Sequence, residues 1–359
     1  MIAIYHPVSL ERQCNIVRVL SAEWHNRLYE PGEFDIRLPP DAAGQEYLKL
    51  HSVISHKGNY GVILGIEATA EELRIFGRDL KQFCAKAQVA PPYYYMTGEI
   101  DPYYGYDRVK GKAEAVLKHY ARTQLAEPTD PDRKIQKLVV AEDSGAGVEM
   151  AWQARWTQLS EELRRIGEFA QIGYKITLDA NNKQYIFDTI AGTDRTAGQK
   201  ERAPVIFCRE YKNISEQKYT LDATAGMNIV YAGGSGEEEK QQVTKLYDGE
   251  MPAGVYRMEG FTDISSEDIE EVEYGGRAYL KDNKTKESVE AEANDRMEYK
   301  KDWFLGDFVT VRLNVLGETL LLDKQITEVQ EVFERGETKI IPVFGEKKDN
   351  IIKRIARRK

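Results

Sequence analysis

Five histidines, His6, His25, His51, His56 and His119, are the obvious candidates for metal ligation or proton transfer. None falls into an HxxxH or HExxH spacing, the arrangement that sets two imidazoles on one helix face with a carboxylate beside them. His51 and His56 stand five residues apart, in and just beyond one expected strand, which is poor metal geometry. Carboxylates are abundant, at 59 Asp and Glu, yet no pair sits in the acid/base frame that glycoside hydrolysis needs. The run Gly233-Gly234-Ser235-Gly236 invites two sharper readings. A nucleophile elbow requires Gly-x-Ser-x-Gly, and Glu237 stands where the closing glycine belongs. A phosphate cradle opens a helix and usually ends in Gly-Lys-Ser/Thr, whereas Glu237, Glu238 and Glu239 follow here. The run is expected to be a hairpin turn between strands at 227–232 and 241–246, with the glutamates in a solvated loop. No catalytic, cofactor or metal site is assigned, and the chain reads as a non-enzyme.

Cys14, Cys84 and Cys208 are scattered and odd in number, which argues against a disulfide framework or a zinc ribbon and for reduced thiols. The formal net charge of −9 repels phosphate, so sequence-specific nucleic-acid binding is not expected. The exception is the basic tail 346–359, with Lys353, Arg354, Arg357, Arg358 and Lys359, read as a solvated end. No apolar stretch is long enough to insert into a membrane, and MIAIYHPVSLERQ has no signal-peptide character.

The elements that would position any site alternate between β and α. Short apolar or alternating runs at 2–5, 15–20, 33–38, 51–54, 60–67 and 73–77, punctuated by Pro31-Gly32, Pro39-Pro40 and Lys57-Gly58, predict strands, followed by a short helix at 79–87. Ala113, Val116, Leu117, Tyr120, Ala121 and Leu125 repeat at helical spacing, as do Trp156, Leu159, Leu163, Ile166 and Ala170, with Gly173 as the expected stop. Between the β start and the first of these helices lies a Tyr-rich connection at 88–107. Strands follow at 174–178 and 184–189 across Asp179-Ala180-Asn181-Asn182. From Pro204 the pattern returns to strands at 205–209, 218–222, 227–232 and 241–246, then at 307–313, 318–332 and 338–344. A helix at 267–280 is expected to break at Gly275-Gly276.

Several segments together resemble the siphophage tail-protein family typified by the ReqiPepy phage. They are Trp24-His25-Asn26-Arg27 leading to Gly32-Glu33-Phe34-Asp35-Ile36-Arg37-Leu38-Pro39, then Ile75-Phe76-Gly77-Arg78-Asp79-Leu80. Further on come Gly173-Tyr174-Lys175-Ile176, Phe187-Asp188, Gly192-Thr193-Asp194-Arg195-Thr196, Asn228 through Glu237, and Leu305-Gly306-Asp307-Phe308-Val309-Thr310-Val311. Each is a strand plus a turn; their order over roughly the first 345 residues carries the match. One departure is Lys240-Gln241-Gln242, where the family pattern has an Arg shortly after the Gly-rich turn.

The resemblance implies an α+β, β-rich multidomain chain: two small β-barrel, tube-like domains plus peripheral α+β domains, as in phage tail hub proteins. The domains expected are a first barrel at 1–87, a peripheral α+β domain at 88–203, a second, discontinuous barrel at 204–235 plus 297–345, a small mixed insertion at 236–296, and the tail at 346–359. It further implies a structural baseplate hub at the tail tip of a phage or prophage virion, which closes the tail tube and takes part in host attachment and DNA ejection. A homotrimer is implied, with the distal tail protein, tail tube and tape measure proteins as partners and no cofactor. Since the chain ends soon after the last barrel strand, wall-degrading or receptor-binding modules would come from other chains. Two alternatives stay open: a cell-wall hydrolase, and a carbohydrate-binding adhesin using the aromatics of 93–106 with Trp152, Trp156 and Trp303.

Overall fold

The computed structural model describes residues 1–91, 105–236, 241–294 and 296–346. Most of the expected Tyr-rich connection, the glutamates after the Gly-rich turn, Lys240 and the basic tail beyond 346 lie outside the described residues. The described residues form two compact units: 1–191 with 329–339, and 192–328 with 340–346.

The first unit opens with β1 (Ile2–Tyr5), β2 (Arg12–Ile16), β3 (Ser21–Arg27), β4 (Glu33–Leu38), β5 (Val53–His56), β6 (Asn59–Ala68) and β7 (Leu73–Asp79). They pair antiparallel in the order β3-β4-β7-β6-β5-β1-β2. No closed barrel is formed among the described residues. The core of this sheet is Ile2, Ile4, Trp24, Phe34, Ile36, Ile54, Ile63 and Ile75 with their neighbours, all buried. β-branched side chains suit a pleated, half-buried surface, and each fully buried one contributes about 1.5–3 kcal/mol. Trp24 lies against Phe34 with ring centroids 4.8 Å apart. Phe34 in turn fits only because Gly61 and Gly77 lack side chains: a Cβ on Gly61 would stand 2.6 Å from the ring, one on Gly77 2.9 Å.

The rest of the unit is α+β. It contains α1 (Gln82–Lys86), β8 (Asp107–Lys112), α2 (Ala113–Ala121) running into a π turn at Arg122–Ala126, β9 (Leu138–Val140), β10 (Glu149–Ala154), α3 (Leu159–Ala170), β11 (Gly173–Asp179) and β12 (Gln184–Ile190). β8 pairs with β10, and β12 lies between antiparallel β11 and parallel β9. The expected first strand after β1 is displaced: β2 is Arg12–Ile16, and the expected 17–20 continuation is not strand. The helix expected from Trp156 starts at Leu159 instead, because Trp156 is left-handed (φ 50°) and its N–H donates to the Val89 carbonyl. Its stop is Gln171, left-handed at φ 57°; Gly173 begins β11 instead, where a Cβ would stand 2.2 Å from Leu28 Cδ1.

The second unit holds β13 (Asp194–Arg195), β14 (Ile206–Phe207), β15 (Ile214–Asp222), β16 (Ile229–Gly233), β17 (Val243–Tyr247), β18 (Glu259–Asp263), α4 (Ile269–Asp282), β19 (Lys286–Ala293), β20 (Phe308–Val315) and the first part of β21 (Glu318–Glu334). The C-terminal part of β22 (Glu337–Gly345) also belongs to it. β15, β19 and β22 are successive antiparallel neighbours, β20 pairs antiparallel with β21, and β13 and β14 pair parallel with β20. A bulge between Ser215 and Lys218 interrupts β15, and there Gln217 donates to the Arg312 carbonyl of β20 at 3.4 Å. The strand β19 falls inside the segment read from sequence as a mixed insertion.

A separate sheet, β17-β16-β18, carries α4 on one face. The helix is continuous where Gly275-Gly276 was expected to break it. Those glycines are contact points: a Cβ on Gly276 would stand 2.5 Å from Leu246 and 2.7 Å from Ala232, and one on Gly275 2.7 Å from Ile264. Close approach of helix to sheet here outweighs the roughly 1 kcal/mol helix penalty of each glycine. Asp268 caps the N-terminus by accepting from the Glu270 N–H at 2.8 Å.

Candidate functional site

The titratable side chains that sequence brings to notice are mostly occupied in holding loops. In the second unit Asp307 is buried, with Oδ1 accepting from the Thr193 N–H (3.0 Å) and Oδ2 from Arg195 Nε (2.9 Å) and the Phe304 N–H (3.0 Å). Gly192 is left-handed (φ 69°), and a Cβ there would lie 2.0 Å from the Gly306 carbonyl. The segments Gly192-Thr193-Asp194-Arg195 and Leu305-Gly306-Asp307-Phe308, far apart in sequence, are therefore two halves of one clamp. Full pairing is what makes a buried carboxylate tolerable.

The first unit has comparable clamps. Glu331 Oε1 accepts from Asn26 Nδ2 (2.8 Å) and Asn59 Nδ2 (3.0 Å). Asp79 and Lys81 form a buried pair at 3.5 Å; burial pushes the Asp79 carboxyl up and the Lys81 ammonium down, each opposed by the other's charge. Glu114, on α2, gathers Lys118 Nζ (2.6 Å), Thr189 Oγ1 (3.2 Å), Ser144 Oγ (2.6 Å) and the Ala146 N–H (2.8 Å). Burial alone would raise its pKa, but these donors outweigh it and hold the carboxyl well below the usual glutamate range. Asp107 divides its oxygens between His119 (2.7 Å) and the pair Thr123 (3.1 Å) and Gln124 (2.8 Å). Sequence reading passed over Asp107 and Glu114, because apart from Lys118, one helical turn on from Glu114, their partners are not near them in sequence.

The histidines do not meet. His56 is buried, its Nδ1 accepting from Trp24 Nε1 at 3.3 Å, while His51 is exposed in the preceding turn with φ 70°. His6 accepts the Val8 and Ser9 N–H groups, and His25 contacts Glu23. Among the described residues no group of three His, Cys, Asp or Glu side chains is arranged to hold a metal. The three cysteines are free; Cys84 and Cys208 are buried and Cys14 half-buried, and burial pushes the Cys84 thiol well up. No helix among the described residues is long and apolar enough to cross a membrane. Gly233 to Gly236 lead out of β16, which pairs antiparallel with β17 in the expected hairpin sense. Gln241, within the segment that departs from the family pattern, donates to the Gly234 carbonyl at 3.1 Å.

Two regions offer contact surface instead. One is a cavity of about 720 Å³ in the first unit. The other is the sheet face opposite α4. Ala232 touches the helix, so by strand alternation Tyr231 and Gly233 face away, and the Phe261 ring lies over Gly233. Phe261 and Val243 are 54% and 50% exposed, and nearby Val255 is 91% exposed. Arg257 donates to the Tyr231 hydroxyl (2.7 Å) and pairs with Glu259 on this side. Of the tryptophans considered as sugar platforms, Trp152 and Trp303 are buried, donating to Glu162 and the Met297 carbonyl; only Trp156 is half-exposed.

The profile of the family described as Siphovirus ReqiPepy6 Gp37-like protein matches residues 1–346. The chain belongs to that family. No curated protein matches it significantly. Its fold is similar to three solved phage tail proteins. The 43 kDa tail protein of prophage MuSo2 from Shewanella oneidensis superposes with a TM-score of 0.55 at 11% identity, covering 96% of this chain and 97% of that one. The tail protein from Neisseria meningitidis MC58 gives 0.54 at 12% identity, covering 96% of each chain. Prophage tail protein gp18 from Listeria monocytogenes gives 0.54 at 11% identity, covering 99% and 97%. At such identities the likeness is one of fold: a β-rich chain with few helices, as in phage tail proteins.

Proposed function

We propose that this family member is a structural component of a phage tail or baseplate, and within it the hub at the tail tip, acting as a homotrimer. Supporting the reading is one observation above others: the family profile spans residues 1–346, and the fold matches phage tail proteins over nearly the whole of both chains. In this reading β1–β7 form the first barrel-like domain, inside the expected 1–87. The second is built from β14, β15 and β19–β22, with β16–β18 and α4 as its insertion, drawn at 223–285 because β19 bonds to β15 and β22. Trimerisation would bury the free edges of these sheets, which otherwise invite uncontrolled pairing. The partners are then the distal tail protein, tail tube and tape measure, the location is the virion tail, and the role extends to host attachment and DNA ejection. It is a role of contact surfaces rather than of catalysis.

Light scattering of the purified chain, alone and with the distal tail protein, tests the trimer against the 41.0 kDa monomer. Antibody labelling of virions tests the location: label at the tail tip is expected, and label along the tube or on the capsid would overturn the hub reading.

A further inference from the structure

The cavity of the first unit is floored by Val53, Val62, Leu64, Phe83, Leu125 and Tyr185. Its lining also includes Lys86, Arg133 and Lys134, and among the described residues no carboxylate lines it. That bias is informative, because 59 of 359 residues are Asp or Glu, and 20 described lining residues drawn at random would hold about three. Lys86 and Lys134 are exposed, while Arg133 is fixed in place, donating to Gln124 Oε1 (3.1 Å) and the Gln88 carbonyl (2.5 Å). Trp156 also lines it, 48% exposed and left-handed at φ 50°. It is kept there by its N–H on the Val89 carbonyl (2.6 Å) and by the Val89 N–H on Thr157 (2.8 Å). A bulky residue in that backbone region is uncommon, and such strain collects at ligand clamps.

We propose that this cavity docks a short segment of a partner protein, one that inserts a large apolar side chain and carries carboxylates beside it. The volume lies within the range of binding pockets, and the apolar floor rewards an inserted ring or branched chain. Cations on two wall segments, Lys86 and the adjacent Arg133-Lys134, match carboxylates spaced along a peptide better than the single head group of a fatty acid. The inference goes beyond the tail assignment and does not depend on it.

Trp24, Trp152 and Trp303 are buried, so changes in tryptophan emission on ligand addition report mainly on Trp156. The full chain is titrated with a tryptophan-free acetylated peptide Glu-Leu-Phe-Leu-Glu, with its lysine counterpart Lys-Leu-Phe-Leu-Lys, and with dodecanoate. A saturable blue shift is expected with the acidic peptide and about tenfold weaker binding of the lysine peptide. The response should vanish in Trp156→Phe, and the double variant Lys86→Glu/Lys134→Glu should bind the acidic peptide about tenfold more weakly with an unchanged circular dichroism spectrum. Equal binding of both peptides, no saturation, or binding of dodecanoate alone would overturn the proposal. Antibody labelling of the tail does not involve the cavity, so either idea can fail without the other.

Discussion

The N-terminal sheet and the helix-on-sheet module at 229–282 use the same residue types to opposite ends. In the first, isoleucines of β1, β4, β5, β6 and β7 converge with Trp24 and Phe34 into one large core. In the second, Ala232, Leu246 and Val272 form a buried cluster with Ile264 packed against it, Ile229, Val230, Ala278 and Leu280 are buried as well, and Val243, Phe261, Val255 and Tyr256 are turned outward. The helix of this module meets its sheet by close approach at Gly275 and Gly276, and the module leaves an aromatic face exposed. The contrast is between a region whose large apolar side chains are turned inward and one that leaves several on its surface, the kind of face that a contact would cover.

The largest test of that contrast is Trp24→Ala, expected to cost about 3–5 kcal/mol in denaturant unfolding. Val272→Ala should cost visibly less, and equal losses would break the distinction. Asp307→Ala leaves the Thr193 and Phe304 N–H groups and Arg195 without their shared acceptor. Its expected cost is about 3 kcal/mol, whereas Asp307→Asn should retain part of the clamp. Gly276→Val overpacks α4 against Leu246 and should cost about 1–3 kcal/mol. Hydrogen exchange should show that loss confined to 229–282, with β1–β7 still protected.

Acid should separate the first unit from the module as well. In both Glu33 and Glu114 burial acts upward, but Arg27 and the donors around Glu114 outweigh it, so both carboxyls are held below the ordinary 4.5. A depressed folded pKa contributes stability above the unfolded value, which is lost as pH falls through the folded one. The denaturant midpoint should hold steady down to about pH 5 and fall below it, and Glu114→Gln should flatten that fall. Within the module Glu259 is likewise lowered, first by its bond from Arg257, but it is exposed and should add little to the slope. The smallest effect is expected from Phe261→Ser: stability within about 0.5 kcal/mol of the parent, with any self-association or partner binding through that face weakened.

Periodicity and turn chemistry were enough for β1, β4 and the hairpin of β11 and β12, and the ordered motifs were enough for the family. They did not reveal β8, β10, β18 or β19, whose alternation is mixed with charge. They misjudged Gly275-Gly276, because a glycine that breaks an isolated helix serves a packed one when the sheet comes within contact distance. The candidate surfaces were less legible still. Trp156 lay in an apolar helical stripe and was counted with the helix, yet its left-handed backbone places it beside the cavity, ahead of α3.

By itself the sequence determined the acidic balance, the unpaired cysteines, the β-rich class and the family, because these depend on composition and on short ordered patterns. Only the tertiary structure decided that Asp307 joins two distant motifs, that Glu114 gathers donors from across its unit, and that an apolar cavity is walled by cations. Those features depend on residues far apart in the chain meeting in space, and no local pattern encodes which of many carboxylates or lysines will meet.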